Sequence, residues 1–260
     1  MNGDHAAVLR RLERAGCIAA SEEAAQLLAA APDAATLAAW VARRERGEPL
    51  AWITGTRVFC GRPWRVDSGV YVPRFQTEEL ARRAAALLEA SDRRVAADLC
   101  TGAGAIAAHL IATVARAVVV GVDVDERAAT CARANGVPVI RGECGDALCS
   151  HAFDVVTAVA PSVPTDDLRL LPRDVQRFES RVGLDGGCDG LDVVRRVVLS
   201  AARLLRPGGW LLLELGGDQD RVLQPTFAAV GFTEVAPWFD DEGDLRGLVA
   251  QRDGQRSASS

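Results

Sequence analysis

Apolar residues recur along this chain at two spacings, and the change from one to the other divides it. Over the first 47 residues the spacing is helical. Val8, Leu12 and Ala15 share one face, with Gly16 placed to end that helix. Ser21, followed by Glu22 and Glu23, reads as the capped start of a second helix. Asp33 reads as the cap of a third, in which Leu37, Trp40, Val41 and Arg44 recur before Gly47 stops it. Between Trp52 and Val72 the apolar residues are broken up by Gly55, Gly61, Pro63 and Gly69, which predicts a hairpin or extended connector. A helix over about Thr77–Ala90 follows.

From residue 94 onward, short apolar runs alternate with helical stretches. Strands are predicted at Arg94–Leu99, Val118–Val122, Val137–Arg141, Phe153–Ala158 and Trp210–Leu215, with short ones near Phe232–Ala236 and Gly247–Ala250. Helices are predicted at Gly104–Arg116, Glu126–Asn135, Asp192–Leu205 and Gln219–Val230. This alternation is the signature of an α/β fold: a mostly parallel sheet, here seven-stranded, with helices on both faces and ligands at the carboxyl ends of its strands. The expected division is a small N-terminal helical domain over 1–50, a connector over 51–76, the α/β domain over 77–252 and a loose polar tail over 253–260.

Composition narrows the chemistry. All 30 cationic side chains among the 260 residues are arginine. Without lysine there is no Schiff base to pyridoxal phosphate, no phosphate-loop lysine and no protein-kinase site. Tyr71 is the single tyrosine. A formal charge of −5 argues against general nucleic-acid binding or affinity for anionic membrane. Cys17, Cys60, Cys100, Cys131, Cys144, Cys149 and Cys188 are scattered with no CxxC pair. They read as small buried hydrophobes in a reducing compartment, and no metal site is expected. Apolar stretches stop short of membrane-spanning length and the first residues lack a signal pattern, so a cytoplasmic protein with no membrane partner is expected.

Candidate chemistry gathers at the first strand of the sheet. Asp98-Leu-Cys100-Thr101-Gly102-Ala103-Gly104 sits where that strand turns into a helix, and its glycines let the backbone approach a ligand beside free N–H groups. Asp123 ends the second strand, placed to accept hydrogen bonds from ribose hydroxyls. Glu143 and the Cys144 backbone follow the third, within reach of an adenine edge. The glycine pattern alone fits either NAD or S-adenosylmethionine. Asp98 separates them, because a carboxylate repels a diphosphate and attracts a donor carrying sulfonium and ammonium charges. The turn Leu205-Arg-Pro-Gly-Gly-Trp210 points the same way.

With Gly47-Glu-Pro-Leu-Ala-Trp-Ile-Thr-Gly55, Val72-Pro-Arg-Phe-Gln-Thr-Glu78, Leu184-Asp-Gly-Gly-Cys-Asp-Gly-Leu191 and Glu214-Leu-Gly-Gly-Asp-Gln219, the chain resembles the HemK/PrmC class of S-adenosylmethionine-dependent methyltransferases. That class methylates the glutamine side-chain amide of protein release factors. The resemblance runs from about Gly47 to Arg252 and implies a class I methyltransferase (Rossmann-like) fold with S-adenosylmethionine as cofactor. It further implies that Cys100 to Gly104 wrap the methionine part of the donor, that Asp123 takes the ribose, and that Glu143 and Cys144 flank adenine.

After the fourth strand the chain departs from the family. Where the family has Asn-Pro-Pro-Tyr, whose asparagine accepts hydrogen bonds from the substrate amide, Val159-Ala160-Pro161-Ser162 stand here. Valine accepts no hydrogen bond, and losing such a contact costs about 3 kcal/mol of transition-state stabilisation. The N-terminal helical part is also shorter than the family's release-factor-docking domain. The expected enzyme is therefore a methyltransferase with a changed acceptor, a small molecule or a peptide. Persisting glutamine methylation, a catalytically silent donor-binding protein and an NAD-linked oxidoreductase are the alternatives.

Other candidates are weaker. His109 is expected to be structural, and His151 to lack a clear partner. Asp166, Asp167, Glu179 and Asp185 are placed to cover the acceptor site as possible bases, although Asp185 more simply braces the Gly186-Gly187 turn. Arg169, Arg173, Arg177 and Arg181 recur every fourth residue, as on one face of a short helix.

Overall fold

A computed structural model describes residues 2–254 of the chain. Three helices open it: α1 (Asn2–Arg14), α2 (Ala20–Ala30) and α3 (Ala34–Glu45). Val8, Leu12, Leu27 and Val41 meet in one apolar cluster, joined by Ile53 of a short helix α4 (Leu50–Thr54). Asp33 caps α3 as its position predicts, accepting the Thr36 N–H at 2.7 Å. Ser21 does not cap α2. That helix begins one residue earlier, and its N-cap Ala19 has no side-chain acceptor. Glu23 instead pairs with Arg44 of α3 at 2.6 Å, so the acid ties two helices together.

Helix α4 was not predicted; it straddles the expected boundary between the helical domain, which was to end at Leu50, and the connector. The hairpin itself is β1 (Thr56–Phe59) and β2 (Arg62–Arg65), antiparallel. Buried Trp52 locks α4 to the segment after the hairpin by donating its Nε1–H to the Val70 carbonyl at 2.9 Å. Trp52→Phe leaves that buried carbonyl without a donor. It is expected to cost about 1–2 kcal/mol, read as a lower denaturant midpoint.

Helix α5 (Thr77–Glu89) leads into the sheet: β3 (Val95–Leu99), β4 (Val118–Asp123), β5 (Val139–Arg141), β6 (Phe153–Ala158), β7 (Leu205–Glu214), β8 (Phe232–Phe239) and β9 (Leu245–Arg252). Their order is β5-β4-β3-β6-β7-β9-β8, parallel from β5 to β7, with β9 antiparallel to both β7 and β8. The intervening helices are α6 (Ala105–Thr113), α7 (Glu126–Ala134), α8 (Arg173–Phe178), α9 (Asp192–Leu204) and α10 (Gln219–Ala229). Strand residues alternate between two cores, as the pleat requires. Val155 and Leu212 face α5 and α6, whereas Val156, Leu211 and Leu213 face α9 and α10.

Two elements differ from expectation for local reasons. Strand β7 begins at Leu205, before the Pro-Gly-Gly turn, because Leu205 already pairs with Phe153; the register then shifts before Val155 meets Trp210. The turn is thus an irregularity inside a strand. The four arginines at every fourth position do not share a helical face. Arg169 lies in a 3-10 turn over Thr165–Leu170, Arg177 in α8, and Arg181 in a second 3-10 turn that pairs it with Asp185. The Arg173 side chain lies outside the described residues.

Asp253 donates its N–H to the Gly231 carbonyl, and the rest of the expected tail, residues 255–260, lies outside the described residues. Among the described residues, no helix is long and apolar enough to cross a membrane. Cys131 and Cys144 are buried, but Cys149 and Cys188 are exposed, contrary to the reading of all seven as buried hydrophobes.

Candidate active site

Strand β3 lies between β4 and β6, so successive connections leave it toward opposite sides and a crevice opens over the strand ends. A cavity of about 860 Å³ fills it, within the range of about 300–1,000 Å³ usual for small-molecule sites. Asp98, Cys100, Thr101, Gly102, Ala103, Asp123, Glu143 and Cys144 line one part of it; Val159, Ala160, Pro161 and Ser162 line another. Gly104 is not on the wall. It is the left-handed N-cap of α6 at φ +78°, packed so closely that a Cβ would lie 2.8 Å from the Ala132 Cβ. That glycine therefore packs α6 against α7.

The glycine turn is held by the groups it presents. Gly102 lies at φ +57°, and a Cβ there would meet nothing within 4 Å, which leaves the space above it open. Its N–H donates to Asp123 Oδ2 at 2.8 Å, while Asp123 Oδ1 accepts from the Asp125 N–H at 2.9 Å. A carboxylate oxygen keeps a second lone pair after one such bond, so both remain able to take a hydroxyl. Burial raises the Asp123 carboxyl above its ordinary value. Asp98, 1% exposed, accepts the Thr101 hydroxyl at 2.6 Å and the Thr157 hydroxyl at 2.7 Å. Burial outweighs both bonds and pushes its carboxyl up to about 6. Burial likewise raises the Cys100 and Cys144 thiols. Glu143 is half-exposed and pairs with Arg196 of α9. An open cradle over Gly102 flanked by two desolvated carboxylates fits a cationic donor such as S-adenosylmethionine, and opposes a diphosphate.

Asn135, just after α7, connects this cradle to the hairpin. Its amide accepts the Arg65 N–H and donates to the carbonyls of Arg65 and Ala103, all at 2.8–2.9 Å. The cavity wall also includes residues to which the sequence assigned no role: Tyr71, Arg74, Thr77 and Glu214. Arg74 donates to the Tyr71 hydroxyl at 3.2 Å and to Glu179 at 2.5 Å. Thr77 donates its hydroxyl to Glu214 Oε2 at 2.6 Å. The available signal was the place of Arg74, Thr77 and Glu214 inside the two family-like segments, 72–78 and 214–219; Tyr71 stands just before the first.

The weaker candidates resolve as follows. Glu179 and Asp185 line the cavity; Asp166 and Asp167 do not. Asp185 braces its turn, accepting from the Gly187 N–H and the Thr165 hydroxyl. His109 is buried away from the cavity wall. His151 does have a partner, the Leu205 carbonyl, 3.1 Å from its Nδ1. Asp240, Glu242 and Asp244 lie together in the β8–β9 loop, where Asp240 accepts both other residues' N–H groups and pairs with Arg246.

No protein-family model matches the chain. Curated proteins do. A release factor glutamine methyltransferase of Geobacter sulfurreducens is 36% identical over 209 residues, covering 78% of this chain and 73% of the relative. One from Bradyrhizobium diazoefficiens is 34% identical over 247 residues, covering 91% and 81%. A 4-amino-L-phenylalanine/4-methylamino-L-phenylalanine methyltransferase of Streptomyces pristinaespiralis is 36% identical over 203 residues, covering 74% and 69%. Among solved structures, the hMettl16 catalytic domain aligns with a TM-score of 0.58 at 14% identity, covering 87% of this chain and 83% of that one. The E. cuniculi Mtq2–Trm112 complex gives 0.52 at 22%, covering 71% and 99%. The structures support the Rossmann-like fold, and the sequence relatives supply the kinship. The chain belongs to the release factor glutamine methyltransferase (HemK/PrmC) family and is an S-adenosylmethionine-dependent methyltransferase.

Proposed function

We propose that this methyltransferase acts on a small molecule and not on a release-factor glutamine. The observation that carries the proposal is Val159. It lies on the cavity wall at the position of the family's asparagine, and its side chain packs against the apolar cluster of α5 and α6. An amide nitrogen has its lone pair delocalised into the carbonyl, so its methylation depends on groups that orient it and accept its N–H. Valine does neither. Ser162, in place of the family's tyrosine, offers no aromatic surface. The Streptomyces relative, named for an amino-acid acceptor, supports the reading that this family framework accommodates small acceptors.

The donor, when bound, supplies an electrophilic methyl group and a neutral thioether leaving group. In this proposal Cys100 to Gly104 wrap its methionine part, Asp123 takes its ribose, and Glu143 with Cys144 flank its adenine. The chain's remaining contribution is placement: the cavity holds an acceptor that is already nucleophilic in line with the methyl group. A cytoplasmic setting, without nucleic-acid or membrane partners, belongs to the same proposal.

Incubation of the protein with methyl-labelled donor and a release factor tests it. Intact-mass analysis is expected to find no mass gain on the release factor, and label is expected in the low-molecular-mass fraction of a cell extract. A methylated release factor, or no label in any fraction, overturns the proposal.

A further inference from the structure

We infer that Glu214 supplies the hydrogen-bond acceptor that Val159 lacks, and that the methyl acceptor therefore presents an amine N–H to it. The inference rests on the proposed small-molecule reading and names the class of substrate. Register carries it. In the parallel pair β6–β7, Thr157 stands beside Leu212 and Ala158 beside Leu213. Val159 is the first residue after β6 and Glu214 the last of β7, so continuing the register by one residue sets them side by side. Adjacent strands lie about 4.8 Å apart, and residues in register point to the same face of the sheet. Glu214 thus projects on the same face as Val159, one strand over, and both line the cavity.

The bonding of Glu214 leaves it available. Oε2 is held by the Thr77 hydroxyl from the start of α5, which fixes the carboxylate's orientation. Oε1 has no hydrogen bond, and Glu214 forms no ion pair, among the described residues. The nearby cations are committed elsewhere: Arg74 to Tyr71 and Glu179, and Arg246 to Asp240. Burial raises the Glu214 carboxyl and outweighs the opposing Thr77 hydrogen bond and the charges of Arg74 and Arg246. A carboxylate on the cavity wall with one oxygen oriented by Thr77 and the other unpartnered is able to accept an N–H from a molecule bound there. A primary or secondary amine presents one. In its neutral form it also keeps its lone pair for attack, unlike an amide, so a single acceptor group beside the site suffices to orient it. The nitrogen becomes cationic as the N–CH3 bond forms and the S–CH3 bond breaks, and its proton passes to the Glu214 carboxylate.

The test is binding by calorimetry to protein saturated with S-adenosylhomocysteine. The probes are three sets of compounds that differ in one group: 4-amino-L-phenylalanine, L-tyrosine and L-phenylalanine; benzylamine, benzyl alcohol and toluene; and butylamine, butanol and butane-1-thiol. In at least one set the amine is expected to bind tenfold or more tighter than its counterparts. Glu214→Gln, which keeps the size and an oxygen for Thr77, is expected to abolish that preference. Affinity for S-adenosylhomocysteine and the thermal midpoint are expected to stay unchanged in the variant, which excludes misfolding. A wild-type protein with no amine preference in any set overturns the inference, as does a preference retained in Glu214→Gln. Release-factor methylation would instead sink the small-molecule proposal alone, so the two failures are distinguishable.

Discussion

Gly104→Ala is expected to destabilise the protein by about 3 kcal/mol and to lower its thermal midpoint by roughly 10 °C. Two separate costs add. A residue with a Cβ held in the left-handed region costs about 1–2 kcal/mol, and Gly104 sits there at φ +78°. The new Cβ would also lie 2.8 Å from the Ala132 Cβ, 3.1 Å from Val137 Cγ2 and 3.2 Å from the Ala132 Cα. None of these is the far end of a flexible side chain, and overfilling a packed core costs about 1–3 kcal/mol. Relief requires α6 to move away from α7. That movement disturbs the donor turn, whose Gly104 N–H bonds the Thr101 carbonyl at 2.8 Å. Donor affinity is therefore expected to fall with stability.

Gly102→Ala makes the contrast. Its backbone is also left-handed, at φ +57°, but nothing lies within 4 Å of the added Cβ. Stability should fall by only about 1–2 kcal/mol, while the methyl group enters space that a donor needs. Thermal melts with calorimetry on both variants separate the roles. Equal losses of stability would refute the assignment of Gly104 to packing.

The two glycines also mark what the sequence could and could not convey. Spacing places both in one donor motif, yet only tertiary packing distinguishes a glycine on the cavity wall from one pressed against α7. The parallel core was legible because its strands are short apolar runs bounded by turn residues, from Val95–Leu99 to Phe153–Ala158. Helix α4 was not, since a single turn is too short for a helical period and is made by tertiary contacts of Trp52 and Ile53. The expected donor residues and Val159–Ser162 stand out in the sequence because they lie in contiguous segments at strand ends, and the cavity brings all of them but Gly104 together. The contacts around Glu214 do not. Thr77 and Glu214 meet across 137 positions, and the placement of Glu214 beside the end of β6 follows from sheet register, which one sequence does not fix.

Donor binding is expected to strengthen as pH rises through about 6, and Asp98→Asn is expected to remove that dependence. Burial holds the Asp98 carboxyl at about 6 in the folded protein, against about 3.9 for an unfolded chain. Between those values the folded state keeps a proton that the unfolded state has released. The stability from this group is thus fully present below about pH 4 and is lost as pH rises through 6. A cationic donor reverses the sign, since it favours the carboxylate. At pH 5 about one site in ten carries the charge, so affinity should be roughly tenfold below its plateau above pH 7. Unit charges 4 Å apart interact by about 4 kcal/mol at an effective dielectric of 20. Loss of even half of that weakens binding by about thirtyfold. Asp98→Asn should show that loss at pH 8 and a flat profile below it. The fold should survive, because the Thr101 and Thr157 hydroxyls can each donate or accept. Calorimetry with S-adenosylmethionine from pH 5 to 8 decides. A variant that keeps the wild-type slope would refute the assignment of this titration to Asp98.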